Sequence, residues 1–346
     1  MVIRWDANRM IHDSVLECIG RTPMVSLKKL SAGVQPEICV KLEFPNPSGS
    51  LKDRVAYEIV RRAEERGELK PGMILLEGTT GNTGISTAMV GAACGYRVII
   101  VMPEGMSDER KKTIQAYGAE LVLTPGAETD VDLVLEEVTR IKEQYPGQVF
   151  EIGQFYREDN LNAHINNTGP EIWEQTQGEI DAFIMCQGTG GTVTGTAKFL
   201  KSMKPDIKIF VSEPADSPIL SKGIIGHHKV QGIADGLIPE ILDLQYVDGI
   251  VLVSSDDSME IARQMARQEG IFCGTSSGCN VKAAFKVAEK YPHFKRIVTM
   301  VNDNGLRYLS TELCGSKPER ELLQREYQLS AEDQQKLAQY QFEIIE

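Results

Sequence analysis

The feature that most limits the folds open to this chain is an alternation of short apolar strands with amphipathic helices. It begins at residue 73 and begins again near residue 182. The first block predicts strands over 73–77, 97–102, 120–124 and 149–152, separated by helices over 85–94, 109–117 and 131–145. The second predicts strands over 182–186, 207–212, 249–253 and 297–301, with helices over 194–203, 257–269 and 280–291. Apolar strands spaced by such helices belong to parallel sheets covered on both faces. Two blocks in 346 residues imply two doubly wound α/β domains with a cleft between them. Ligands of open α/β sheets bind beyond the C-terminal strand ends, so the loops after residues 77, 152, 186 and 301 carry most weight.

Two of those loops are rich in glycine. Gly78-Thr79-Thr80-Gly81-Asn82-Thr83-Gly84 joins a strand to a helix N-terminus, where backbone N–H groups and hydroxyls suit a carboxylate or phosphate. A tight turn with capping residues is the plainer reading. Gly188-Thr189-Gly190-Gly191-Thr192 occupies the same position after the strand at 182–186. It lacks the lysine of a nucleotide-triphosphate loop and the spacing of a dinucleotide fingerprint, so a single phosphate monoester fits it best. A third segment, Gly274-Thr275-Ser276-Ser277-Gly278, precedes the helix expected from 280 and reads in isolation as a cap.

Upstream lies Asn46-Pro47-Ser48-Gly49-Ser50-Leu51-Lys52-Asp53-Arg54, which sets a lysine at the start of an apparent helix. Positive charge is disfavoured at a helix N-terminus, so the amine can lose its proton and condense with an aldehyde. Taken alone, Lys52 reads as a surface lysine. Beside one phosphate cradle, one carboxylate cradle and a spare hydroxyl, it completes what pyridoxal phosphate and an amino acid require.

Composition removes other classes. A formal charge of -12 argues against nucleic acid or an anionic membrane as partner. No apolar run approaches the length of a membrane span, and residues 1–13 carry no apolar signal-peptide core. The seven cysteines form no CxxC pair and lie mostly in apolar runs, which reads as a reduced cytoplasmic protein. The five histidines lack metal-ligand spacing, so no metal site is expected. In the tail, Ser330 looks like a helix cap, and Leu337, Tyr340, Phe342 and Ile344 are expected to pack on the body or on a second subunit.

With these motifs in order, the chain resembles the fold-type II pyridoxal-phosphate enzymes of the cysteine synthase (O-acetylserine sulfhydrylase) and cystathionine β-synthase group. The resemblance runs from Ile19-Gly20-Arg21-Thr22-Pro23 to Arg307-Tyr308-Leu309-Ser310-Thr311. It implies a tryptophan synthase β-like fold with the cofactor in the cleft and a homodimeric assembly. A smaller, mobile domain would span 1–156, with about 24–45 crossing to a larger one at 157–318, and an extension at 319–346. Lys52 would be the Schiff-base lysine, Asn82 would bind the cofactor's 3′ oxygen, and Gly188, Thr189, Gly190, Gly191 and Thr192 the 5′-phosphate. Ser276 would face the pyridine nitrogen, while Thr79, Thr80, Gly81, Thr83, Gln154 and Gly232 would bind substrate. A hydroxyl at the ring nitrogen weakens the electron sink. That disfavours transamination and favours β-elimination and β-replacement on a small L-amino acid through an aminoacrylate.

Two positions depart from the cysteine synthase pattern. Thr80 replaces the usual serine, and Asp235 in Gln231-Gly232-Ile233-Ala234-Asp235-Gly236 stands where relatives carry Ala or Tyr. An ionised carboxylate about 4 Å from an incoming hydrosulfide repels it by about 4 kcal/mol at an effective dielectric near 20. The same group can act as base for water or a neutral thiol, pair with a cationic substrate, or be a solvated loop acid. Three readings follow: cysteine made from an activated serine and sulfide; cysteine losing sulfide to water or a second thiol, giving serine, lanthionine or cystathionine; and a non-catalytic binding protein. A serine or threonine dehydratase is a variant within the fold.

Overall fold

A computed structural model describes residues 11–127, 129–315 and 327–346. Strands are numbered in chain order: β1 (Met24–Ser26), β2 (Glu37–Leu42), β3 (Ile74–Gly78), β4 (Arg97–Pro103), β5 (Glu120–Thr124) and β6 (Val149–Glu151). They continue as β7 (Ala182–Cys186), β8 (Lys208–Pro214), β9 (Gly249–Val253), β10 (Arg296–Val301) and β11 (Glu343–Ile345). Among the described residues they form two sheets, ordered β5-β4-β3-β6 and β1-β2-β10-β7-β8-β9-β11. Every neighbouring pair is parallel except β1 with β2. The mixed α/β architecture with two open sheets therefore matches the fold class read from the sequence.

The inner parallel strands are buried on both faces, as β3, β7 and β9 show by having no exposed residue. Helices cover them. The helix Val131–Gln144 turns Val131, Val134, Val138 and Ile141 inward, and the last three pack on Leu76 and Val101 of the smaller sheet.

Three features were not anticipated from periodicity. The helices expected from 85, 194 and 280 begin earlier, as Asn82–Cys94, Gly191–Met203 and Thr275–Lys290. Their first turns are built mostly from Gly, Ser, Thr and Asn, which carry no apolar stripe. The helix expected over 257–269 is α-helical only over Ser255–Gln264 and continues as a π-helical turn, Met265–Glu269. Strands β1 and β2 lie before the first recognised strand, yet β2 pairs with β10 in register from Glu37 opposite Arg296.

A buried ionic cluster fixes the return from β2. Arg54 donates through Nε to Glu43 Oε2 at 2.7 Å and through Nη1 to Glu171 Oε1 at 2.7 Å, while Lys41 Nζ lies 2.8 Å from Glu171 Oε2. Burial alone would raise the Glu171 carboxyl, but Arg54 and Lys41 hold it well below the usual range. In the tail, Ser330 caps the helix Ala331–Leu337, and Leu337, Tyr340, Phe342 and Ile344 pack on the large core, with β11 beside β9. Residues 319–326 of the expected extension lie outside the described residues.

Candidate active site

Lys52 opens the helix Lys52–Glu65, whose apolar face includes Val55, Ile59 and Val60 against the smaller core. Its amine is pushed below the ordinary lysine range. The chief cause is burial, and Asp235, Cys186 and Glu77 act in the opposite sense.

A narrow cavity beside Lys52 gathers much of the sequence-derived constellation. Asn82, Gly188, Thr189, Gly190, Thr192, Gly232 and Ser276 line it with Lys52, together with Cys186, Gln231 and Asn302. Gly191 belongs to the same loop but packs on Asn160, where a Cβ would fall 2.1 Å from Asn160 Oδ1. Gly190 has φ +80° and no side chain caps the helix that follows it. The N-cap residues of Asn82–Cys94, Gly191–Met203 and Thr275–Lys290 make no side-chain cap bond, so the capping reading of the loops at 78–84 and 274–278 does not hold.

Thr79, Thr80, Gly81, Thr83 and Gln154 do not line that cavity. They form a neighbouring group: Thr83 Oγ1 donates to Gln154 Oε1 at 2.5 Å, and Gly81 N donates to Thr79 Oγ1 at 3.0 Å. Arg110 passes against Gly81, stacks on Tyr308 and donates to Gln231.

Asp235 is 6% exposed, so it is not a solvated loop acid. Burial pushes its carboxyl up to about 6, while Lys52 and the Thr80 hydroxyl pull the other way. Its Oδ1 accepts no hydrogen bond. The flanking backbone is unusual: Gly232, Ala234 and Gly236 have φ of 89°, 51° and 85°. Ala234 N donates to Gln187 O at 2.8 Å, which helps to hold that left-handed residue. Behind Lys52, Glu77 is 2% exposed; burial, then repulsion from Glu151, raises its carboxyl well above the usual range.

Sequence reasoning missed Asn302 and Asp303, although it singled out the loop after 301. Asn302 Nδ2 donates to Ser276 Oγ at 3.1 Å, and Asp303 Oδ2 accepts from Asn82 Nδ2 at 2.7 Å. Two polar residues directly after a buried strand were the available signal. No group of three His, Cys, Asp or Glu among the described residues could hold a metal ion, and no described helix is long and apolar enough to cross a membrane.

An amine of lowered pKa, a glycine loop at a helix start and a hydroxyl beside a second asparagine share one cavity, a set of groups that suits a carbonyl cofactor bearing a phosphate. The family model described as pyridoxal-phosphate dependent enzyme matches residues 15–303, and the chain belongs to that family. A cysteine synthase of Staphylococcus aureus is 44% identical over 302 residues, 87% of this chain and 96% of the relative. The crystal structure of a cysteine synthase from Entamoeba histolytica superposes with a TM-score of 0.85 at 42% identity, covering 93% of this chain and 96% of its own. That of a hydrogen sulfide-producing enzyme from Fusobacterium nucleatum gives 0.83 at 39% identity, covering 86% and 100%.

The residues present fit pyridoxal 5′-phosphate, the family's cofactor. Asn82 Oδ1 is buried without a partner, Gly191 leaves no room for a side chain, and no carboxylate stands in the 188–192 loop.

Proposed function

We propose that the protein carries out β-replacement or β-elimination on a small L-amino acid, in the manner of a cysteine synthase that joins an O-activated serine to sulfide. The observation that carries this reading is the single cavity shared by Lys52, Asn82, Gly188 and Gly190 of the glycine loop, and Ser276. Lys52 holds the cofactor aldehyde, residues 188–192 its phosphate, Asn82 its 3′ oxygen, and Ser276 its ring nitrogen. When bound, the cofactor supplies an electron sink that acidifies the substrate Cα–H.

The chain's own residues do the rest. Thr79, Thr80, Gly81, Thr83, Gln154 and Gly232 orient the substrate carboxylate, and the Lys52 amine takes the proton from Cα. Ser276, being neutral, keeps charge from settling on the ring, so loss of the β-substituent follows.

A second reading rests on Asp235. A buried carboxylate facing Lys52 repels hydrosulfide and suits water or a neutral thiol as nucleophile, with cysteine as donor and sulfide as product. Serine, lanthionine or cystathionine would then form.

We place the protein in the cytoplasm as a homodimer, with residues 1–156 as the moving domain, 157–318 as the larger one and 319–346 as an extension. Its partner is a small amino-acid substrate, not nucleic acid. Two experiments test these readings. Borohydride reduction of the holoprotein followed by peptide mapping should label Lys52, and a label elsewhere overturns the site. Rates with O-acetylserine, O-phosphoserine, serine and cysteine, each with sulfide, homocysteine or water, then decide the reaction.

A further inference from the structure

The hydroxyl of Ser276 stands at the end of a chain of buried amides that fixes where its proton points. The chain starts from two backbone groups whose roles cannot be exchanged. Cys186 N–H can only donate, and it lies 2.7 Å from one end of the Asn280 side chain, so that end is the oxygen, Oδ1. Met300 O can only accept, and it lies 2.9 Å from the other end, which is therefore Nδ2. Asn280 Nδ2 also reaches Asn302 Oδ1 at 3.3 Å, and this sets the second amide in turn. The nitrogen of Asn302 faces the other way, where it donates to Ser276 Oγ at 3.1 Å and to Cys186 Sγ at 3.3 Å. Asn280 is wholly enclosed, and Asn302 and Ser276 are each 4% exposed, so bulk water does not compete for these roles.

A serine hydroxyl has one proton and two lone pairs. Asn302 takes one lone pair of Ser276, and among the described residues no protein group accepts the proton. Ser276 and Asn302 both line the cavity beside Lys52, which is the direction left open to that proton. We infer that Asn280 and Asn302 are positioning residues that hold Ser276 as a hydrogen-bond donor, and so keep the pyridine nitrogen of the bound cofactor without a proton. The inference rests on Ser276 being the partner of that nitrogen, as proposed above.

Serine alone does not decide the matter, because a hydroxyl can equally accept from a protonated ring nitrogen. The amide chain removes that freedom. A protonated nitrogen would face the hydroxyl as a second donor and leave the serine proton in the interior with no acceptor. One unmade buried hydrogen bond disfavours that state about tenfold or more. The two asparagines, acting through Ser276, thus keep the ring a weak electron sink and favour loss of a β-substituent over transamination.

The test is nitrogen NMR of the holoenzyme reconstituted with pyridoxal phosphate isotopically labelled at its ring nitrogen. The wild type should give the resonance of an unprotonated pyridine at neutral pH. Asn302→Asp keeps the shape of the side chain but offers only acceptors, so the Ser276 proton turns toward it and the ring nitrogen takes up a proton. Its resonance should then move upfield into the pyridinium range. Asn302→Ala, which serves if the acidic variant does not fold, frees the hydroxyl and should raise the pH of proton uptake by about one unit, a tenfold gain in proton affinity. Ser276→Ala should shift the wild-type resonance downfield, through loss of its hydrogen bond. An unmoved resonance in Ser276→Ala would show that Ser276 does not face the nitrogen, and the inference falls with that reading. A response in Ser276→Ala with none in either Asn302 variant overturns the amide chain alone, as does a pyridinium resonance in the wild type.

Discussion

The side-chain amide of Asn82 donates to Asp303 Oδ2 at 2.7 Å, tying the helix start after β3 to the loop after β10 and so joining the two sheets across the cleft. Tyr308 donates to the same oxygen at 2.8 Å. The amide's donor end is thereby occupied and its Oδ1 is left facing no protein partner. Asp303→Ala should free the amide to rotate and weaken cofactor retention about tenfold, the cost of roughly one hydrogen bond. Dialysis against a cofactor-free buffer, followed by absorbance, measures this; unchanged retention would show that Asp303 does not orient Asn82.

Asp235 should govern the choice of nucleophile. With its carboxyl at about 6, the base form is lost as pH falls through that value, so sulfide release from cysteine should decline on the acid side of pH 6. Asp235→Asn should abolish that limb and lower turnover with cysteine by about a hundredfold, within the usual range for loss of a general base. Turnover with O-acetylserine and sulfide should change by less than about threefold. Equal losses in both assays remove the role.

The same group bears on stability, with a sign that can be worked out. Its carboxyl is raised from 3.8 to about 6 on folding, so the folded protein binds a proton more tightly and loses stability as pH rises between those values. The full effect is about 3 kcal/mol above pH 6. Asp235→Asn should therefore stabilise the protein at pH 8 by up to about 3 kcal/mol and much less at pH 4, as read from urea midpoints.

Gly191→Ala should damage the phosphate loop, because the added Cβ would meet Asn160 Oδ1 at 2.1 Å. Either the loop or Asn160 must move, and Asn160 Nδ2 already donates to Gln154 O and Thr189 Oγ1. Cofactor affinity should fall about tenfold or more, measured by titrating the apoprotein with pyridoxal phosphate. Gly95→Ala, at a helix end with open space around it, serves as the control for backbone strain alone.

Arg54→Met should cost about 3–5 kcal/mol, since it strands the carboxylates of Glu43 and Glu171 in the interior. The loss is read from guanidinium unfolding. A loss under about 1 kcal/mol would mean that water reaches the cluster.

Much of this molecule was legible in its residues because each level repeated the same message. Apolar strands, intervening helices and glycine loops at strand ends all pointed to open α/β sheets and a phosphate. What stayed hidden was not local. Nothing in Glu37–Leu42 says that it pairs with Arg296–Val301, because a strand's partner is chosen by tertiary packing. Asn302 and Asp303 act through Ser276 and Asn82, contacts 26 and 221 residues apart in sequence. The environment of Asp235 was equally out of reach, for burial of a loop acid depends on what folds over it.

The pairing of β2 with β10 also sets a timetable. Arg296 Nε reaches Glu37 Oε2 at 2.9 Å across a sequence separation of 259. At about 5–20 residues per second, a ribosome needs roughly 10–50 s to supply that partner. During that interval β2 is an unmatched ribbon, and a nascent chain stalled there would be bait for chaperones before it was an enzyme.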